Sequence, residues 1–332
     1  MRMRFFGLRS GGTALLLAAL SAMTVGAVGA AGCSGSTDRS LDGYDSNPKS
    51  PSADGGNSTG NTGGGTLGNG TTGDGGAGSQ GNCSDAAKLV YVVSAENVLY
   101  SFAPDKLAFK EIGELDCPSS GATPNSMAVD RSGTAWVNFS DGSLFKVSTK
   151  DASCKPTDFQ PGQHGFGRFG MAFASNSAGS EDETLYVAGI EGLGEGQGLA
   201  KIDLATFELT PLGNYSGDLR GMGAELTGTG EGKLFGFFTT FPNATLASID
   251  KAKGATSNGV DLEGVFTGQA WAFSFWGGDF WFYTSPGDVP STVTRLAASG
   301  DNSIEVVKED VGNVGRIVGA GVSTCAPTAP PH

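Results

Sequence analysis

Ile317-Val318-Gly319-Ala320-Gly321-Val322-Ser323, a short strand of alternating small and apolar residues close to the end of the chain, is the stretch on which the fold turns. Its central Ala motif recurs upstream in Met127-Ala128-Val129, Met171-Ala172-Phe173, Gly223-Ala224-Glu225 and Trp271-Ala272-Phe273. The alanines are 44, 52, 48 and 48 residues apart, a repeat length that predicts a β-propeller blade per unit. After each of the first four motifs comes a polar turn and an aromatic strand, such as Ala135-Trp136-Val137 or Phe280-Trp281-Phe282-Tyr283. A second turn and an alternating strand follow, such as Ser143-Leu144-Phe145-Lys146-Val147. The ends of the array are complementary. The segment around Tyr91 and Val98-Leu99-Tyr100-Ser101-Phe102 has an aromatic strand and an alternating strand but no Ala motif before them, and the last Ala motif has nothing after it. Paired, they make one complete blade and remove the free edge of the sheet. The expected fold is all-β, a five-bladed propeller closed by its C-terminal strand.

The cysteines bear on the same closure. Of the five, Cys33 lies outside the repeats, and Cys83, Cys117, Cys154 and Cys325 remain as an even set. Ring closure puts Cys83, just before the first strand, beside Cys325, just after the last. Cys117 and Cys154 then bracket the second blade. Free thiols or metal ligands are the alternative, with no histidine close by in sequence to support a metal site.

Cys33 follows a basic start (Arg2, Arg4, Arg9), an apolar run over residues 14–31, and the small residues Gly29-Ala30-Ala31-Gly32. This order resembles the lipobox of bacterial lipoprotein precursors, which implies cleavage after residue 32 and lipidation of Cys33. A plain secretory signal or an anchor helix are the other readings of the segment. In the lipoprotein families, Ser34 after the lipidated residue implies the outer membrane as the address. Residues 33–82 are dominated by Gly, Ser, Thr and Asn and hold only Leu41, Tyr44 and Leu67 as large apolar side chains. They cannot form a core and are expected to act as a disordered tether with a reach of ~35–40 Å. The expected organisation is therefore a signal peptide (1–32), a tether (33–82), a propeller (83–326) and a short tail (327–332). Residues 1–32 hold three of the 21 basic residues and none of the 34 acidic ones, so the rest carries a formal charge of −16. Such a chain repels nucleic acid and fits an exported monomer.

Candidate chemistry is sparse. There are two histidines, His164 and His332, and neither sits in a nucleophile motif. Arg168, Arg220 and Arg316 each stand four residues before an Ala-motif alanine, which in a propeller places them at the mouth of the central channel. With Phe169 and Trp271 they form a candidate site for a carboxylate-bearing, sugar or peptide ligand. The competing reading pairs each arginine with a neighbouring acid such as Asp218. Asp130 and Glu225 are the candidate catalytic carboxylates, because glycosidic cleavage uses an acid and a base. Against this, Asp130-Arg131-Ser132-Gly133 reads as a hairpin turn. No cofactor or metal is expected.

The text Asp130-Arg131-Ser132-Gly133-Thr134-Ala135-Trp136-Val137 is similar to the blades of propeller-type lipoproteins of Gram-negative bacteria, and more distantly to streptogramin-lyase-like propellers. The resemblance spans residues 85–325 and implies a fold, not an activity. A lyase would need a channel-face histidine, and only His164 is in reach. The overall expectation is a lipid-anchored binding or scaffolding module for a glycan, peptide or envelope protein, with a carbohydrate-active hydrolase or lyase as the alternative.

Overall fold

The computed structural model describes residues 83–190, 197–298 and 301–330; the expected signal peptide, Cys33 and the tether lie outside the described residues. Five antiparallel four-stranded sheets are arranged as blades of one ring. Blade 1 is built from β1 (Val90–Ser94), β2 (Val98–Ala103) and β3 (Ala108–Glu114), blade 2 from β4 (Pro124–Val129), β5 (Thr134–Phe139), β6 (Leu144–Ser148) and β7 (Cys154–Pro156). Blade 3 holds β8 (Phe169–Ser175), β9 (Glu183–Gly189), β10 (Leu199–Ile202) and β11 (Leu209–Gly213). Blade 4 holds β12 (Ala224–Gly228), β13 (Leu234–Phe238), β14 (Ala244–Ile249) and β15 (Thr256–Leu262). Blade 5 holds β16 (Ala270–Trp276), β17 (Asp279–Ser285), β18 (Thr292–Leu296) and β19 (Ile304–Lys308). The last strand, β20 (Ile317–Val322), returns to blade 1 as its innermost strand.

The closing strand is antiparallel to β1, as expected, with Val90 facing Val322, Tyr91 facing Gly321, Val92 facing Ala320 and Val93 facing Gly319. Cys83 and Cys325 are bonded with Cα atoms 5.8 Å apart, and Cys117 and Cys154 with Cα atoms 4.8 Å apart. The second bond joins the outer strand β7 to the connection that enters blade 2.

The alanine of every Ala motif lies on an innermost strand, β4, β8, β12, β16 or β20, and the reason is steric. Five blades leave a narrow hub in which adjacent inner strands nearly touch. A Cβ on Gly170 would run into the Ala224 carbonyl and sit 2.7 Å from Glu225 Cα, and one on Gly228 would run into the Phe173 carbonyl. Gly319 and Gly321 of β20 allow the same approach to Met127 and Ala128 of β4.

The strands nearest the hub are covered on both faces and are buried nearly throughout, whereas the outermost strands β3, β7, β11, β15 and β19 are largely exposed. Five apolar clusters fill the five inter-blade spaces. The one between blades 5 and 1 holds Val90, Phe102, Trp281, Tyr283, Ile317 and Val322, so its packing depends on the returned strand. Within it Phe102 meets Tyr283 edge to face at 5.8 Å. Many of the acidic residues serve the turns. Asp141, Asp151, Asp203, Asp250 and Asp301 each accept a backbone N–H two residues on, the Asx-turn that makes Asp a turn residue.

Candidate functional site

All five inner strands start on one face of the ring, and their first residues build the mouth of the central channel. A cavity of about 240 Å³ opens there, lined by Asn125, Arg168, Glu225, Gln269, Trp271 and Arg316 among others. Arg168 and Arg316 reach it because each immediately precedes an inner strand, β8 or β20. Arg316 Nη1 donates to Asp288 Oδ1 at 2.8 Å, the acid-pairing reading realised within the site. Asn125 Nδ2 donates to Asn138 Oδ1 and to the Phe169 carbonyl, both at 3.2 Å, so its amide is committed to joining blades 2 and 3.

Glu225 is 1% exposed. Its carboxyl accepts from Ser126 Oγ at 2.7 Å and from the backbone N–H of Met171, linking the inner strands of blades 2, 3 and 4. Burial holds its pKa well above the usual carboxylate range, partly offset by the hydrogen bonds from Ser126 and Met171. The indole Nε1 of Trp271 is buried with no hydrogen-bond partner among the described residues, an uncommitted donor on a cavity-lining side chain.

Three sequence-predicted candidates are placed elsewhere. Arg220 is exposed and does not line the cavity. Blade 4 starts its inner strand at Ala224 itself, so four residues upstream falls on the connection, just after the 3-10 turn Gly217–Leu219. The Phe169 ring is fully buried against Phe159 in the core between blades 2 and 3, because odd positions of β8 face blade 2. Asp130 is the organiser of its own hairpin: Oδ1 accepts from the N–H groups of Ser132 (2.9 Å) and Thr134 (3.0 Å), and Oδ2 from Trp136 Nε1 (2.9 Å). Ser126, which holds Glu225, is separated from Asp130 by four residues of extended chain, about 13 Å. Glu225 lines the mouth cavity and Asp130 does not. His164 is exposed in the connection into blade 3 and does not line the cavity.

The opposite end of the channel is stoppered by the chain after β20. Ser323 Oγ donates to the Ala87 carbonyl of blade 1 at 2.6 Å, and Arg131 Nη1 of blade 2 donates to Thr324 Oγ1 at 3.1 Å. Thr324 Oγ1 donates to Glu183 Oε2 of blade 3 at 2.8 Å, Gly230 of blade 4 lies against the Thr324 carbonyl, and Gly277 N of blade 5 donates to the Pro327 carbonyl at 2.8 Å. Packing thus continues through Pro327, into the expected tail. The mouth cavity is consequently a blind hollow.

Glu183 was not singled out by sequence, because its burial is made by Arg131 and Thr324, far away in the chain. Desolvation raises its pKa to about 7, partly offset by the Arg131 N–H and Thr324 hydroxyl. Between pH 4.5 and 7 the folded state keeps this proton and the unfolded state loses it, so stability falls as pH rises. The slope is at most ~1.4 kcal/mol per pH unit, ~3 kcal/mol across the window. Urea titrations of Glu183→Gln over this range are expected to show a flatter decline by that amount, and a slope equal to the wild type would refute the assignment. Burial raises the pKa of Glu225 as well, so it contributes in the same direction.

No protein-family model and no curated protein sequence matches the chain. Among solved structures it is similar to hydrazine synthase of Kuenenia stuttgartiensis, with 13% identity over 73% of this chain and 72% of that one and a TM-score of 0.37.

Proposed function

We propose that this chain is an outer-membrane lipoprotein, held through Cys33 and a flexible stalk, whose propeller is a noncatalytic, monomeric binding module with its ligand seated in the hub mouth. The observation that carries the binding role is the blind hollow, whose lining side chains include the buried Glu225, two arginines and Trp271, whose buried indole Nε1 has no hydrogen-bond partner among the described residues. Buried polar groups left without partners in the free protein are the ones a ligand satisfies. A donor-rich wall of this kind suits a carboxylate or hydroxyl-rich group on a glycan, peptide or envelope protein. The lipoprotein assignment is supported by the order of residues around Cys33 and is tested separately, by incorporation of labelled fatty acid that Cys33→Ser abolishes.

Binding is tested with the full-length protein in detergent on glycan and peptide arrays, followed by affinities for the best binder. Arg168→Ala is expected to weaken binding by ~10-fold or more, the cost of one charge-assisted hydrogen bond. Trp271→Phe, which keeps a ring and deletes the donor, is expected to cost about fivefold. Affinities unchanged in both variants would remove the hub from the proposal.

A further inference from the structure

Four large apolar side chains are exposed among the described residues: Phe241 (95%), Phe266 (55%), Val306 (54%) and Val289 (49%). Val306 is on the outer strand β19. The other three are all on the mouth face. Phe241 is in the loop between β13 and β14, Phe266 in the connection into β16, and Val289 in the loop between β17 and β18. These loops are held to one another. Gly264 N donates to Asn243 Oδ1 at 3.2 Å, Gln269 N donates to the Ser285 carbonyl at 2.8 Å, and Ser285 Oγ donates to the Val289 carbonyl at 2.7 Å. Gln269 also lines the hub cavity, so a continuous rim runs from the mouth out over blades 4 and 5. Exposed apolar groups gathered on one face, with polar groups between them, mark interaction surfaces.

We propose that this rim docks a polypeptide partner that presents an apolar side chain flanked by lysine or arginine. The proposal rests on the reading of the mouth as the binding face and names the kind of ligand it takes. Charge identifies the occupant. Asp218, Asp261, Glu263 and Asp288 are exposed around the three apolar side chains; Asp288 is paired with Arg316, and Arg220 is the other cation on these loops. Beside Phe241 is a hollow of about 370 Å³ whose walls include Leu219, Phe241 and Pro242, with Asp218 and Asp261 at its edge. Its shape and chemistry fit the apolar stem and charged head of a long basic side chain. An anionic bilayer is repelled by the same carboxylates. Cys83, the first described residue, lies on the other face, beside Arg131.

The test uses the full-length protein in detergent with two matched sets of short synthetic peptides, one with Phe or Leu between lysines and one with the same residues between glutamates. Vesicles of phosphatidylcholine, with and without phosphatidylglycerol, form a third arm. The lysine set is expected to bind about tenfold tighter or better, with a preference that salt weakens. Phe241→Ser combined with Phe266→Ser is expected to cost about tenfold or more. Because both side chains are exposed, the melting transition of that variant should match the wild type. Asp218→Asn with Asp261→Asn should abolish the preference between the sets. Equal binding of the two sets, unchanged binding in the Phe variant, or vesicle binding that the Phe variant loses would each overturn the proposal. Ligand binding lost in Arg168→Ala but kept in the Phe variant would overturn it while leaving the hub reading in place. Loss in neither variant would remove both.

Discussion

Ending the chain after Arg316 abolishes the cooperative fold of the whole domain and does not merely fray one blade. The deletion removes Ile317 and Val322, fully or almost fully buried between blades 5 and 1, at roughly 1.5–3 kcal/mol each in lost apolar burial. It strips β1 of its ladder partner and leaves an open edge at each side of the gap. It also removes Cys325, whose bond to Cys83 spans 242 residues and contributes up to ~5 kcal/mol on the chain-entropy account. Together these losses reach the 5–15 kcal/mol that a domain ordinarily has in total. Urea titration followed by circular dichroism should show no single sigmoidal transition and early exposure of apolar surface. A truncated chain that unfolds cooperatively within ~1 kcal/mol of the full chain would show that the ring does not depend on its closing strand. Cys83→Ser with Cys325→Ser separates the contributions: β20 stays, the fold is kept, and stability falls by ~3–5 kcal/mol.

The closure was legible because it is a matter of what each end of the chain lacks. Tyr91 and Leu99 repeat the spacing of Trp136 and Leu144, which identifies the first unit as short of one strand and Ile317 to Val322 as the strand it lacks. The disulfide pairing followed from the same geometry, and the Ala motif was visible because a crowded hub admits only small residues at certain positions. Site residues were legible only where a fixed offset from that motif survived. Strands β8 and β20 both begin three residues before their alanine, so Arg168 and Arg316 reach the mouth, whereas β12 begins at Ala224 and leaves Arg220 outside. Phe169 failed for another reason. Residues on both sides of an inner strand are buried, so alternation shows that Phe169, Met171 and Phe173 share a face without telling which face it is. Glu183 and Phe241 had no local signal at all: the burial of one and the exposure of the other are made by neighbours from other blades.

Gly228→Ala, a change of one methyl group, is expected to cost ~3 kcal/mol or more, and Gly170→Ala a comparable amount. Neither glycine is required for backbone reasons; each is required because the strand of the next blade passes where the Cβ would be. The obstructing atoms are backbone, the Phe173 carbonyl for Gly228 and the Ala224 carbonyl for Gly170, and backbone in a closed ring cannot move aside as a flexible side chain does. Relief would need blades 3 and 4 to separate, opening the cluster in which Ala172, Ala174, Tyr186, Leu226 and Phe238 pack together. It would also disturb Glu225, which sits between the two positions on β12 and joins three inner strands through Ser126 and Met171. The cost thus exceeds the usual 1–3 kcal/mol of overpacking at a site that can relax. Gly259 on the outer strand β15 is the control, since a Cβ there meets nothing closer than Thr245 Cγ2 at 3.9 Å. Gly259→Ala is expected to be neutral or slightly stabilising, by restricting the unfolded chain. Midpoints of urea unfolding for the three variants decide the matter. If Gly228→Ala proves as mild as Gly259→Ala, the inner strands do not touch, and the tight five-bladed hub that shapes the mouth cavity is wrong with them.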